Sequence, residues 1–598
     1  MTKIGIAFPD FISTEKIKRR KNIDGFSKSF GIRYKFLAAL LLVSIAVLIF
    51  RIFTLQIIEG KYYRLLSDSN RIKTVVTHAP RGIITDRNGK PLVINVPGFR
   101  LVENGKTRLL NQEQALSLIS AGKKDLEIDS LRYYPEKDAT AHVLGYLGQI
   151  TKEELSSEKY SGYRSGDLIG EMGIEEEYEG MLRGVDGKQL VEIDSSGKSI
   201  RKLGESDPIP GRNIRLTIDL GLQKKAYEAM RGVKKGAVIV TTPKGEVLAL
   251  ISKPTFDPNL FTQDETYKTA TDSAYREVDQ VLSDGESQPL LNRAIAGLYP
   301  PGSTFKIITA ASGLNNKIIG RDYSIEDKGI IRVGEFSFAN WYFTGYGRTD
   351  GVVNVVKGLA RSNDIFFYEL AAKIGVDRLS ATAKDFMIGD FSGIDLAGGS
   401  RGLVPNPSWK EKVIGEKWYL GDTYHYGIGQ GYLLSTPLHV NSWAQTVAAK
   451  GQMYYPHLFK DSEKKDKTLK QNLLSEGATE LITEGMIGAC KENGVAWPLF
   501  NLKIKNQKLK IDGRNFLEVP QSSVSGNFKD YRQVVLACKT GTAQHGGEKT
   551  LPHAWITLFA PARDPQIVIT VLSEESGEGS SVAAPIAKEI LTEWFSRK

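Results

Sequence analysis

Only two of the 598 residues are cysteine, Cys490 and Cys538. That count excludes a disulfide framework and a cysteine-rich zinc module. Histidine is scarce too, at seven residues, and none sits in an H-x-x-x-H or Cys/His ligand pattern. No metal and no other cofactor is expected; His425, His545 and His553 read as surface or hydrogen-bonded loop residues. There is no internal repeat and no low-complexity stretch. The 59 glycines follow no G-X-Y period, so they signify turns. With 41% hydrophobic and 25% charged residues, the chain is neither a disordered polymer nor a many-span membrane protein. Its length argues for two to four domains.

The net charge of +10 raises the question of nucleic acid, and its distribution answers it. The first 35 residues hold nine basic side chains against three acidic, so more than half of the excess sits in a short tail. The remainder implies no nucleic-acid surface. An uncharged run, Phe36 to Phe50, follows at once and is extended by Ile52, Phe53, Leu55, Ile57 and Ile58, with Arg51 able to snorkel. A secretory signal would end in a small-residue cleavage site, and none is present; a buried core helix would not sit beside a basic block. The expectation is an uncut single-pass anchor over 36–58. The positive-inside bias keeps residues 1–35 cytoplasmic and the rest outside.

Beyond the span, residues 60 to 210 read as short strands and loops with charged helices between them. Ile83-Ile84 and Leu92-Val93 flank Asn88-Gly89, a hairpin signal. Glu175 to Arg183 reads as a short charged helix, Gln189 to Asp194 as a strand, Gly211 to Asp219 as another, and Leu222 to Met230 as a helix. The seam Ser206-Asp-Pro-Ile-Pro-Gly211 is taken as a domain boundary. After it come a hairpin (Ala237–Val240, Val247–Ile251), a long mainly helical stretch, and three strand candidates: Gln533 to Cys538, Ala554 to Ala560 and Gln566 to Ser573. Helical spacing returns over Ala584 to Phe595. Strands at both ends with helices between predict one antiparallel sheet covered by helices, within a multi-domain α+β chain.

Three short patterns carry chemistry. Ser303-Thr-Phe-Lys306 precedes an apolar helical run, so the hydroxyl and amine three residues apart share a face. An amine with lowered pKa among apolar neighbours can take the serine proton. Against this, serine is an ordinary helix cap, and S-x-x-K also occurs at Ser120, Ser156, Ser195 and Ser462. Ser362-Asn-Asp364 follows the apolar helical stretch Val352 to Ala360; caps read the same way, and Ser165-Gly-Asp167 and Ser525-Gly-Asn527 also match. Lys539-Thr-Gly541 occurs once, inside an apolar strand, where a glycine often marks close approach by a ligand or another backbone. The order of the three is the strong signal, since together they characterise penicillin-binding proteins and serine β-lactamases.

The resemblance extends along the chain. Pro80-Arg-Gly-Ile-Ile-Thr-Asp-Arg-Asn-Gly89, Gly173-Ile-Glu-Glu-Glu-Tyr178 with Leu182-Arg-Gly184, and Leu216-Thr-Ile-Asp219 with Leu222-Gln223 resemble class B penicillin-binding protein motifs. So do Phe256-Asp-Pro-Asn259, Asn292-Arg-Ala294, Gly427-Ile-Gly-Gln-Gly431 with Thr436-Pro437, and His553 to Pro561. Asp364 in the middle motif, with Trp418 to Thr423 upstream of the glycine-rich segment, is similar to the elongation type, penicillin-binding protein 2; the division type usually carries Asn there. No glycosyltransferase segment separates the span from Arg81, so the bifunctional class A arrangement does not fit.

The resemblance implies a single transmembrane helix, a β-rich pedestal of dimerisation type over 59–210 and a transpeptidase domain over 211–598. It implies a serine-type D,D-transpeptidase cross-linking peptidoglycan stem peptides during elongation, inhibited by β-lactams, with a glycan polymerase of the SEDS type as membrane partner. Ser303 would be the nucleophile and Lys306 its base. Ser362 would relay a proton to the leaving D-alanine, and Asp364 would hold that hydroxyl and the lysines. Lys539 would keep the cleft positive, and Thr540, Gly541 and Thr542 would bind substrate. The alternatives are a D,D-carboxypeptidase, a β-lactam-hydrolysing or -sensing relative, or mainly a scaffold that activates the polymerase. Two departures stand out. Cys538 replaces a more usual glycine, and strand alternation should aim it away from Lys539; no disulfide with Cys490 is expected. Tyr346-Gly-Arg-Thr-Asp350 stands where elongation-type relatives often carry Gly-His-Gly, which argues against a metal near the middle motif.

Overall fold

The computed structural model describes residues 27–103, 106–123, 126–194, 199–460, 467–505, 531–546 and 550–597. Most of the basic tail, the Ser195-Ser-Gly197 turn, Ser462 and Ser525 lie outside them. The chain forms two compact units. One comprises residues 1–75 and 188–206, the other residues 76–187 and 207–598.

In the first unit a helix runs Ser27–Phe53 and continues through a wider turn, Thr54–Ile58. Tyr34–Ile58 is the one described segment long and apolar enough to cross a membrane, with mean hydropathy 2.7. Its residues Tyr34 to Phe53 are all exposed, as a lipid-facing helix requires. The helix Gly60–Arg71 follows, and most of a three-stranded sheet lies in this unit, with Gly187–Ile193 between Ile72–Thr77 and Ser199–Ser206.

The second unit begins with the expected hairpin: Ile84 pairs with Val93 across Asn88-Gly89, with Pro91–Glu103 as the long strand. Leu126–Tyr133 pairs along it. The stretch read as one charged helix is two, Gly173–Glu177 and Glu179–Leu182, broken at Tyr178. Its charge is not solvated. Glu175 is fully buried between Arg81, at 2.8 Å, and Arg132, at 2.7 Å, so the Pro80-Arg-Gly82 and Gly173-Ile-Glu175 motifs meet in a buried ion pair.

The larger sheet has five antiparallel strands in the order Val247–Lys253, Gly236–Thr241, Ile567–Ser573, His553–Ala560, Ala537–Ala543. The first hairpin thus pairs with the last strands, Val240 opposite Ile569, as the pattern of strands at both ends predicted. One sheet face is covered by Leu220–Ala229 and Ala584–Ser596, the other by the helical layer that includes Lys306–Asn315, Asp364–Ile374 and Pro437–Ala448. One reading changes here: Val352 to Ala360 is not helical throughout. Gly351–Asn354 pairs as a strand with Ser324–Asp327, and Asn354 then caps the helix Val355–Arg361 by accepting from Lys357 N–H.

The expectation that the cysteines stay apart is overturned. Cys490 and Cys538 form a disulfide, their Cα atoms 5.9 Å apart and 48 residues apart in sequence. Cys490 ends the helix Glu476–Ala489, which lies against the Ala537–Ala543 strand. The alternation argument holds, because Cys538 does face the core away from Lys539. What the sequence did not show is that the helix end reaches that same face. Closing a loop of this length restricts the unfolded chain by about 4 kcal/mol. Non-reducing peptide mapping is therefore expected to return a Cys490–Cys538 peptide, and Cys490→Ser to lower stability by about 2–4 kcal/mol in denaturant titration; two free thiols in oxidised protein would refute this.

Candidate active site

The active-site turn is built by local geometry. Gly302–Phe305 forms a 3-10 turn leading directly into the helix Lys306–Asn315. In a 3-10 turn residues i and i+3 eclipse, so Ser303 and Lys306 lie on one side. Ser303 is not the helix cap that the bland reading offered; it sits inside the turn and is half-buried. Thr304 ties the turn by donating from Oγ1 to Pro301 O at 2.7 Å.

The turn is pressed against the Ala537–Ala543 strand, which is an edge of the large sheet. A side-chain carbon at Gly541 would lie 3.0 Å from Thr304 Cγ2 and 3.1 Å from Pro301 O. Gly302, at φ +54°, would meet Thr542 O at 3.0 Å. These two glycines let the backbones approach. The Gly427 to Gly431 segment bridges both: Gly302 N–H donates to Gly429 O at 2.9 Å, and Gln430 Nε2 to Thr542 O at 3.3 Å. Thr309 Oγ1 anchors the segment from the helix by donating to Gly427 O at 2.7 Å. At the end of the Ala537–Ala543 strand Thr540 is buried and Thr542 is exposed.

Ser362 joins two helices. It caps the C-terminus of Val355–Arg361 in the left-handed region, at φ +53°, and Asn363 caps the N-terminus of Asp364–Ile374. A non-glycine residue held there costs of order 1–3 kcal/mol, and such strain collects at functional sites. The result is convergent. Lys306 Nζ donates to Ser362 O and Asp364 Oδ1, both at 2.7 Å, and lies 3.3 Å from Ser362 Oγ. Lys539 Nζ donates to Ser362 Oγ at 2.8 Å and to Thr540 O at 2.9 Å. The two lysines therefore share one hydroxyl, and Lys306 alone bonds the carboxylate.

Both lysines are fully buried. Burial pulls the Lys306 ammonium below its ordinary pKa, against the opposing pull of the Asp364 carboxylate. Burial depresses Lys539 further, and the charge of Lys306 adds to that, again opposed by Asp364. One carboxylate cannot hold two buried ammonium groups, so an amine base is available at lower pH than for a surface lysine.

Sequence reasoning missed the groups that hold Asp364. Trp341 N–H donates to Asp364 Oδ2 at 3.1 Å, and Asn340 Oδ1 accepts from Asp364 N–H at 3.2 Å. They lie more than twenty residues upstream, and no spacing rule links them to the motif. Two of the competing matches separate cleanly: Ser156 donates to the Glu153 and Lys152 carbonyls of its own helix, and Asp167 pairs with Arg183. The Asn292-Arg-Ala294 motif acquires a role as well, since Arg293 and Tyr299 both bind Glu574, at 2.7 and 2.6 Å.

The nucleophile turn, the paired lysines and the edge strand define a serine acyl-transfer site of the penicillin-binding type. Residues 236–592 match the penicillin-binding protein transpeptidase domain, and residues 124–216 the penicillin-binding protein dimerisation domain. The chain belongs to this family, and within it to the class B, penicillin-binding protein 2-like transpeptidases. It is 31% identical to the peptidoglycan D,D-transpeptidase MrdA of Acinetobacter baumannii, over 96% of this chain and 89% of that protein. Among solved structures it resembles penicillin-binding protein 2 of Helicobacter pylori in complex with MreC, at 26% identity and TM-score 0.70, covering 88% of this chain and 99% of that one. It also resembles a chain from a peptidoglycan synthase complex described as coordinating polymerization and crosslinking, at 27% identity and TM-score 0.68, covering 95% and 99%.

Proposed function

We propose that this chain is a peptidoglycan D,D-transpeptidase of cell-wall elongation, and that Ser303, Lys306, Ser362, Asp364 and Lys539 carry the reaction. The observation behind the assignment of roles is the convergence of Lys306 and Lys539 on Ser362 beside the Ser303 turn, with Asp364 holding Lys306. Ser303 Oγ attacks the carbonyl of the D-alanyl–D-alanine bond while Lys306 takes its proton. The backbone N–H groups of Ser303 and Thr542 receive the developing oxyanion. The C–N bond then breaks, and Ser362 passes a proton from the lysine pair to the leaving D-alanine amine. Thr540, Gly541 and Thr542 bind the substrate carboxylate and backbone, and Lys539 holds the Ser362 hydroxyl. An amine of a neighbouring stem attacks the acyl-enzyme, forming the cross-link and freeing Ser303.

The chain is divided into a cytoplasmic tail (1–35), an anchor (36–58), a pedestal (59–210) and a transpeptidase domain (211–598), with everything after the anchor outside. The partner is a glycan polymerase of the SEDS type; a relative found within a peptidoglycan synthase complex and another bound to MreC support an assembly. The test is muropeptide analysis of glycan polymerised in the presence of this protein. Cross-linked dimers are expected with the wild type, and uncross-linked polymer with Ser303→Ala. Release of D-alanine without dimers would make it a carboxypeptidase; no difference between the two proteins would make it a scaffold.

A further inference from the structure

The hydrogen bonds around the middle motif converge on a residue that the mechanism does not use. Asp327 ends the strand Ser324–Asp327 and is buried, 3% exposed. Its Oδ2 accepts from Asn363 Nδ2 at 2.7 Å, Asn340 Nδ2 at 3.0 Å and Asp350 N–H at 2.9 Å. Its Oδ1 accepts from Gly329 N–H at 2.8 Å. The two amides it holds are fully buried, and each turns its oxygen to the helix that begins at Asp364. Asn340 Oδ1 accepts from Asp364 N–H, and Asn363 Oδ1 from Phe366 N–H at 2.9 Å. These are orphan donors of that helix's first turn.

An amide has one donor end and one acceptor end. An acceptor-only carboxylate that captures both Nδ2 groups therefore forces both oxygens onto the helix. Asn340 also precedes the helix Trp341–Tyr346 without a side-chain capping bond to it, and Trp341 brackets the motif: its backbone N–H binds the Asp364 carboxylate, and its indole Nε1–H donates to Arg361 O at 3.1 Å. Asp350 completes the frame, accepting from Asn363 Nδ2 at 3.0 Å and from Arg361 Nε at 2.8 Å.

We propose that Asp327 is a positioning residue for the transpeptidation site: through Asn340 and Asn363 it fixes the first turn that aims Asp364 at Lys306. This rests on the acyl-enzyme reading above. Replacing Asp327 with Leu keeps the approximate volume but removes both oxygens, whereas Asn would keep one acceptor for the three donors on Oδ2; in Asp327→Leu both amides lose their common acceptor. Asp364 then loosens from Lys306; among the described residues Asp364 is the charged group Lys306 contacts, and Lys539 acts on it through its charge, while Asp327 itself faces Asp350, with Arg361 behind it.

The test is acylation of the full chain by a fluorescent penicillin across pH, resolved into the binding constant and the rate constant for acylation. Asp327→Leu is expected to slow acylation by 10- to 100-fold with less than threefold change in binding, at full labelling amplitude. Its acid limb should move to lower pH, because Lys306 loses the carboxylate that favours its charged form. Glu326→Gln, an exposed neighbour on the same strand, is expected to match the wild type. If Asp327→Leu fails to fold, Asn340→Ala must show the same slowing and shift; failure of both to fold assigns the cluster to the scaffold and overturns the proposal. So does a folded variant with unchanged rate and limb. A wild-type protein that forms no adduct refutes the acyl-enzyme reading instead.

Discussion

Ser303→Ala is expected to lose all covalent labelling by penicillin, whereas the wild type gains a single adduct that persists for many minutes in intact-mass spectra. The lactam carbonyl presents the same electrophile as the D-alanyl–D-alanine bond, so the first chemical step is shared. The site supplies what that step needs: a hydroxyl on a short turn, a buried amine on the same side, and a strand edge pressed against the turn. Release requires an activated water. Asp364 is already committed to Lys306 and to Trp341 N–H, and the chain carries no added glutamate motif of the kind that activates water in class A β-lactamases. Slow deacylation follows. An adduct on any other serine, or rapid turnover to penicilloic acid, would overturn the assignment.

The second large effect belongs to Lys306. Lys306→Ala should reduce the acylation rate by about 10²–10⁴-fold, the usual worth of a positioned general base, or roughly 3–5 kcal/mol of barrier. The sign of the pH dependence is fixed by the direction of the shift. Burial lowers the Lys306 pKa, so its neutral, proton-accepting form appears at lower pH than for a free lysine. Wild-type acylation should rise with pH through that lowered pKa and level off above it, and the variant should lose this limb. Stopped-flow labelling across pH distinguishes the cases; a limb that survives in Lys306→Ala would transfer the role of base to Lys539.

Much of this site was legible before any coordinates. The three motifs announced Ser303, Ser362 and Lys539 because their chemistry depends on short spacings, which a sequence displays directly. The sheet was legible for a related reason: Ala237–Val240, Ala554–Ala560 and Ile567–Ser573 are apolar runs long enough to be buried on both faces. Longer-range effects were not. Glu175 reads from the sequence only as part of a short charged helix, yet it is buried between two arginines brought in from residues 81 and 132. Val352 has apolar neighbours on both sides, and only its pairing with Glu326 makes it a strand residue. The disulfide and the Asp327 cluster join residues whose proximity arises only after the helices pack on the sheet.

The strand order has a consequence for biosynthesis. Gly236–Thr241 emerges early and stays unpaired on one side until Ile567–Ser573 arrives, roughly 330 residues later. At ribosomal speeds of about 5–20 residues per second, that interval is on the order of tens of seconds. Throughout it, an apolar hairpin with an open hydrogen-bonding edge is exposed outside any finished core, which is the condition that invites mispairing. The central sheet therefore cannot close co-translationally in segments; it closes once, at the end. A chain truncated before residue 567 loses more than a terminal strand, because the hairpin at 236–253 is left with no partner on its inner edge.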